Sequence, residues 1–94
     1  MFQRLKGQTA IVTGGAQGLG EALARRLDQE GCNVVVADIN FEAADQVAAS
    51  LNRGIAVKVD VCDEEQVDAM VAAAVDKFGG LDILVCNAST NVDS

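Results

Sequence analysis

Residues 13–20 read Thr-Gly-Gly-Ala-Gln-Gly-Leu-Gly and follow directly on the apolar run Ala10-Ile11-Val12. A glycine-rich stretch placed there closes a β-strand and opens a helix. Glycine lets the chain turn sharply and lets backbone N–H groups approach an anion closely. The helix that follows presents about half a positive charge at its N-terminus. The glycines at 14, 18 and 20 have the spacing G-x-x-x-G-x-G, and no Gly-Lys-Ser/Thr follows them. The pattern therefore points to a dinucleotide turn and away from a triphosphate loop.

The rest of the chain alternates between strand and helix periodicity. Thr9–Thr13 is a β-rich run. Residues 18–30 read as a helix, with Leu19, Leu23 and Leu27 at four-residue spacing on one face and Gly31 as its stop. Residues 33–38 contain Val-Val-Val-Ala, the continuous apolar run of a strand buried on both faces. A second helix fits 41–51, with Phe41, Ala44, Val47, Ala48 and Leu51 along one side. A third strand fits 55–61. Asp63-Glu64-Glu65 places negative charge where a helix start favours it. That third helix carries Val67, Met70, Val71, Ala74 and Phe78 as its stripe and ends at Gly79-Gly80. Residues 81–86 supply a fourth buried strand.

Strands alternating with helices imply parallel pairing through right-handed crossovers. The expected fold class is α/β, a partial Rossmann fold with sheet order 3-2-1-4 and three crossover helices. Ligands of such sheets bind beyond the carboxyl ends of the strands, where strand order reverses. The glycine turn, Asp38, Asp60 and Asn87 all fall at such ends.

Composition narrows the functional classes. Ninety-four residues, half of them apolar, make at most one small domain, and the net charge of −7 with scattered basic residues argues against nucleic acid. No apolar run approaches the ~20 residues of a membrane span. Cys32, Cys62 and Cys86 are too far apart for a metal site or a disulfide framework, and the chain has no histidine. Reduced thiols and a cytoplasmic location are the expectation.

Asp38 follows Gly20 by 18 residues. A carboxylate there accepts hydrogen bonds from both ribose hydroxyls of an adenosine and repels a 2′-phosphate. Ile39 follows it with no basic side chain, and Gln17 in the turn is uncharged. NAD is thus favoured over NADP. Read alone, Asp60 is a turn or cap residue and Asn87 a turn amide.

The pattern resembles the short-chain dehydrogenase/reductase family over residues 6–88. Thr13–Gly20 matches its TGxxxGxG turn. Asp60-Val61 is similar to the family's Asp-Val/Leu at the third strand, where the carboxylate meets the adenine amino group. Residues 81–88 are similar to the fourth strand ending in Asn-Asn-Ala-Gly. The resemblance implies that Asn87 steadies the sheet and lines the cofactor cleft, with Ala88 beside the ribose. The candidate cofactor contacts are Gly14, Gln17, Gly18, Leu19, Gly20, Asp38, Ile39, Asp60, Val61, Asn87 and Ala88, with no metal ligand. Cys86 stands where the family often has Asn, and Ser89 where it has Gly, so residues 89–94 form an unmatched tail.

The family's chemistry uses a Tyr, a Lys four residues later and a Ser, and these 94 residues contain no tyrosine. No catalytic residue is assigned. The chain reads as a dinucleotide-binding half-domain, shortened by gene truncation, by a frameshift near residue 89 or at the boundary of an expressed fragment. The resemblance implies a parent activity of hydride transfer between NAD and an alcohol or carbonyl. The alternatives are a non-catalytic nucleotide-binding or partner-pairing module, self-associating through the exposed edge of the fourth strand, and an unstable product.

Overall fold

A computed structural model describes residues 5–87. Its elements run β1 (Thr9–Thr13), α1 (Gly18–Gln29), β2 (Asn33–Asp38), α2 (Phe41–Ala49), β3 (Gly54–Lys58), α3 (Glu64–Phe78) and β4 (Ile83–Cys86). The four strands are parallel, in the order β3-β2-β1-β4. This is the α/β half-sheet expected from the alternation, with the reversal between β1 and β4.

The two central strands are buried on both faces, as their unbroken apolar runs require. Val12, Val34 and Val36 point to one side and pack with Ala24 of α1 and Ala44, Val47 and Ala48 of α2. Ile11, Val35 and Ala37 point to the other and pack with Met70 and Ala74 of α3. A period of two along each strand thus feeds two thin cores, one per face.

Several boundaries and faces differ from the sequence expectation. The third strand ends at Lys58 and not at 61, so Asp60 and Val61 lie in the following turn, and β4 begins at Ile83 and not at 81. The first two helices stop short of residues 30 and 51, at Gln29 and Ala49. Helix α1 turns Gly20, Ala24 and Asp28 inward, while Leu19 is 67% exposed. Small residues there bring the helix close to the glycine turn, and that close approach outweighs the burial of one leucine. Phe41 is likewise 44% exposed, because the core side of α2 begins at Ala44. Strand β4 is only half-covered, with Leu84 48% exposed and Cys86 on the surface, because β1 is its one strand neighbour among the described residues.

Asp28 is buried because its carboxylate is satisfied. Its two oxygens accept from the Asn52 backbone N–H at 2.9 Å and the Asn52 side-chain amide at 3.0 Å. This pairing ties the end of α1 to the loop entering β3, and an unpaired carboxylate would be costly at that depth.

Candidate functional site

Three helices start in two different ways. Asn40 caps α2 by accepting from the Ala43 N–H at 3.1 Å. Asp63 caps α3, with one carboxylate oxygen accepting from Glu65 N–H at 3.0 Å and Gln66 N–H at 3.3 Å. Helix α1 has no side-chain cap: Gln17 is extended at the N-cap position and makes no cap bond. The first amides of a helix have no intrahelical acceptor. Those of Gly18, Leu19 and Gly20 thus form a donor cluster at the positive end of α1, beneath the glycine turn.

The turn itself is held on two sides. Toward β2, Gly15 N–H donates to the Ala37 carbonyl at 3.2 Å, and Ala16 N–H donates to Asp38 Oδ2 at 3.1 Å. Toward β4, Thr13 Oγ1 accepts from Asn87 N–H at 3.0 Å and donates to the Val85 carbonyl at 3.2 Å. Asn87 Nδ2 reaches the Gly14 carbonyl at 3.4 Å. Gly14 and Gly18 have positive φ, 68° and 59°, so they set the curvature of the turn. Gly20 has a different task. A Cβ there would collide with the Gly14 carbonyl oxygen and approach Asn87 Nδ2 at 2.8 Å, so the helix can seat against the turn only without one.

Asp38 ends β2 and is half-buried. Besides Ala16, its other oxygen, Oδ1, accepts from Asn40 N–H at 3.0 Å, and its backbone carbonyl accepts from Val59 N–H at 3.1 Å. Asp60 sits beyond β3, organised by Gln66, whose Oε1 accepts from Asp60 N–H at 2.8 Å. Asp60 Oδ1 in turn accepts from Cys62 N–H at 3.0 Å. The neighbouring Val61 is half-buried against the α3-side core. Ile39 is exposed beside Asp38.

Hydrogen bonds therefore connect Gly14, Asp38 and Asn87 through the turn, and Asp60 lies two residues past Lys58 at the same end of the sheet. Gln17 and Gly18 are exposed at the mouth of α1, as is Leu19. Ala88 and the tail at 89–94 lie outside the described residues. The candidate set drawn from the sequence omitted Thr13, Gly15, Ala16 and Gln66, which build the turn and place Asp60. Thr13 opens the TGxxxGxG match, and that was its one visible signal. For Gly15 the reason appears only in three dimensions: a Cβ would meet the Val12 carbonyl at 3.0 Å and Val36 Cγ1 at 3.1 Å.

The opposite end of the sheet offers a different environment. A cavity of about 140 Å³ there is lined by Lys6, Asp28, Gly31, Cys32, Asn52 and Arg53. Burial pushes the Cys32 thiol up from its ordinary 9.0, and the charges of Glu30, Asp82 and Asp28 add to the effect. That thiol stays protonated near neutral pH and is a poor nucleophile. Among the described residues, no group of three or more His, Cys, Asp or Glu side chains could hold a metal ion, and no helix is long and apolar enough to cross a membrane.

Known proteins resemble this chain in sequence and in fold. A family profile described as short chain dehydrogenase matches residues 8–94, running past position 88, where the motif-by-motif likeness ends. A sorbitol dehydrogenase of Cereibacter sphaeroides is 45% identical over 87 residues, covering 92% of this chain and 34% of that one. A solved hydroxysteroid dehydrogenase of Escherichia coli superposes with a TM-score of 0.88 at 36% identity, over 93% of this chain and 39% of its own. A 3-ketoacyl-(acyl-carrier-protein) reductase of Brucella melitensis, solved with NADH, gives a TM-score of 0.82 at 41% identity over 85% of this chain and 33% of its own. The chain spans about a third to two fifths of the length of these relatives.

Proposed function

Since the chain belongs to the short-chain dehydrogenase family, we propose that its described residues form the nicotinamide dinucleotide site of an oxidoreductase, with NAD as the cofactor. The observation that carries this reading is the uncapped start of α1, set under a turn that is tied to Asp38. The amides of Gly18, Leu19 and Gly20 fit a pyrophosphate, which would take the place that Asn40 and Asp63 fill on the other helices. The absent Cβ of Gly20 keeps the turn closed against the helix at that point.

Asp38 would accept from the adenosine ribose hydroxyls and disfavour a 2′-phosphate, since Ile39 brings no compensating cation. Ile39 and Leu19 offer exposed apolar surface on either side of the turn. Asp60 and Val61 would meet the adenine, and Asn87 with Ala88 would line the cleft. Bound NAD supplies a hydride acceptor for an alcohol. These 94 residues contain no tyrosine to act as general acid and base, so they bind without turnover. The NADH-bound reductase from Brucella supports the cofactor class.

Titration calorimetry of the 94-residue chain tests the reading. NAD should bind, and NADP should bind at least tenfold more weakly, a difference of about 1.4 kcal/mol. Equal or tighter binding of NADP overturns the choice of cofactor, and heat from neither ligand overturns the site.

A second reading rests on β4. Its outer edge carries no strand partner among the described residues, and Leu84 is exposed beside it. Such an edge can pair with another copy of the chain. Sedimentation velocity should then show a dimer whose population falls on Leu84→Lys, and a monomer at all concentrations removes this reading.

A further inference from the structure

The Ala16 N–H to Asp38 bond has a consequence for cofactor selection. Two successive amides of the turn are fastened to the end of β2, but in different ways. Gly15 uses the Ala37 backbone carbonyl, which any residue would supply. Ala16 uses the Asp38 side chain, at 3.1 Å. A carboxylate offers about four lone-pair sites. Ala16 takes one on Oδ2 and Asn40 takes one on Oδ1, which leaves one acceptor site on each oxygen.

We propose that Asp38 is the positioning residue of the pyrophosphate-binding turn as well as its ribose acceptor, so that cofactor choice and turn geometry rest on one carboxylate. This rests on the dinucleotide reading above. The two remaining acceptor sites match the two hydroxyls of one ribose, and they are offered only while the turn is fastened. A basic residue at this position would attract a 2′-phosphate but could not accept from Ala16 N–H. That amide is part-buried, and leaving it unpaired releases the segment that aims the α1 amides. Asp38→Arg therefore loses NAD without a matching gain in NADP.

The test separates the two duties with a ligand that lacks the hydroxyls. Dissociation constants are measured for NAD and for its 2′,3′-dideoxyadenosine analogue, using the wild-type chain, Asp38→Ala and Asp38→Asn. If Asp38 served the ribose alone, the alanine variant would bind the analogue as the wild type does. The expected result is about a tenfold loss for Asp38→Ala with the analogue, the scale of one charge-assisted hydrogen bond. Asp38→Asn keeps one oxygen: turned to Ala16 N–H it preserves the fastening and gives up the Asn40 N–H bond. It should restore the analogue's affinity to within about threefold, while still binding NAD less well than wild type.

Amide exchange on the ligand-free chains supplies a second readout. Ala16 should exchange faster in Asp38→Ala than in wild type or Asp38→Asn, with Gly15 unchanged. Analogue affinity within twofold between wild type and Asp38→Ala overturns the proposal, as does an asparagine variant that binds as weakly as the alanine one while its Ala16 amide stays as protected as in wild type. If the wild type binds neither ligand, the dinucleotide reading fails, and with it the cofactor-selecting duty. The exchange of Ala16 then decides the fastening by itself, and equal protection in wild type and Asp38→Ala overturns that too. A circular-dichroism melt identifies any variant that does not fold, and the asparagine chain keeps the comparison open in that case.

Discussion

Helices α3 and α1 both begin at the carboxyl end of the sheet, yet one is finished by its own chain and the other is not. Asp63 satisfies the amides of Glu65 and Gln66, and Glu64 and Glu65 add charge that suits the helix dipole. Helix α1 has Gln17 in extended geometry at the same position, with no cap bond, and its first residues are two glycines and a leucine. A chain that only needed a stable helix would place Ser, Thr, Asp or Asn there. On the dinucleotide reading, α1 gives up local stability where a bound anion would supply what the chain withholds.

The largest effect should come from filling the space that lets α1 approach the turn. Gly20→Ala drives a Cβ into the Gly14 carbonyl and toward Asn87, so either the helix or the turn must move. We expect destabilisation of about 1–3 kcal/mol, the cost of overpacking a tight site. For a domain this small each kcal/mol lowers Tm by roughly 4–8 °C. Dinucleotide binding should fall by about a hundredfold, or about 2.8 kcal/mol. A melt and a calorimetric titration check both, and an unchanged Kd would show that the turn is not the binding element.

The next effect reverses the contrast between the helices. Gln17→Asp gives α1 the cap it lacks, in a backbone already extended as a cap requires. It should raise stability by about 0.5–2 kcal/mol. It should also weaken NAD by about tenfold, because the new carboxylate occupies the donors and repels the pyrophosphate. Asp63→Ala should instead cost about 1 kcal/mol of stability with Kd unchanged within twofold. Equal responses of binding to the two substitutions would erase the distinction drawn between the helices.

The smallest effect lies at the far end of α1, where Cys32 is buried and its thiol is pushed up from 9.0 by desolvation, with Glu30, Asp82 and Asp28 adding. A group held above its unfolded value keeps its proton longer when folded. Its contribution is complete below pH 9.0 and is lost as pH rises through the folded value. Urea melts above pH 9 should show this loss in wild type and not in Cys32→Ala. In the native chain, a thiol reagent should label the exposed Cys62 and Cys86 first.

The topology was legible because apolar periodicity and glycine placement report directly on strand, helix and crossover. The placement of Asp38 and Asn87 at strand ends was legible for the same reason. Leu19 was not, because two stripes fit α1 equally well by spacing. One runs through Leu19, Leu23 and Leu27, the other through Gly20, Ala24 and Asp28. Hydrophobicity favours the first, and the need for close approach to the turn puts the second innermost, with Leu27 packed at its edge and Leu19 left outside. Asp28 could be recognised as a buried residue only with its partner Asn52 in view, 24 positions away. The Asp38 bond to Ala16 was hidden because a motif gives the residue and its end of the sheet, but not the direction of its side chain.

Strand β4 is four residues long and is bolted at both ends. Before it, Asp82 accepts from Thr9 N–H through Oδ2 and donates its own N–H to the Thr9 carbonyl, each at 2.9 Å. After it, Asn87 is bound to Thr13. A strand anchored in this way cannot fray from its tip or slide by one residue without breaking both attachments. Its amides should exchange as a single block. Slackness at Asp82 would then be felt at the Gly14 carbonyl, about 15 Å away at the usual rise of a strand. The edge of the sheet thus acts as a stay, and the glycine turn is rigged to it.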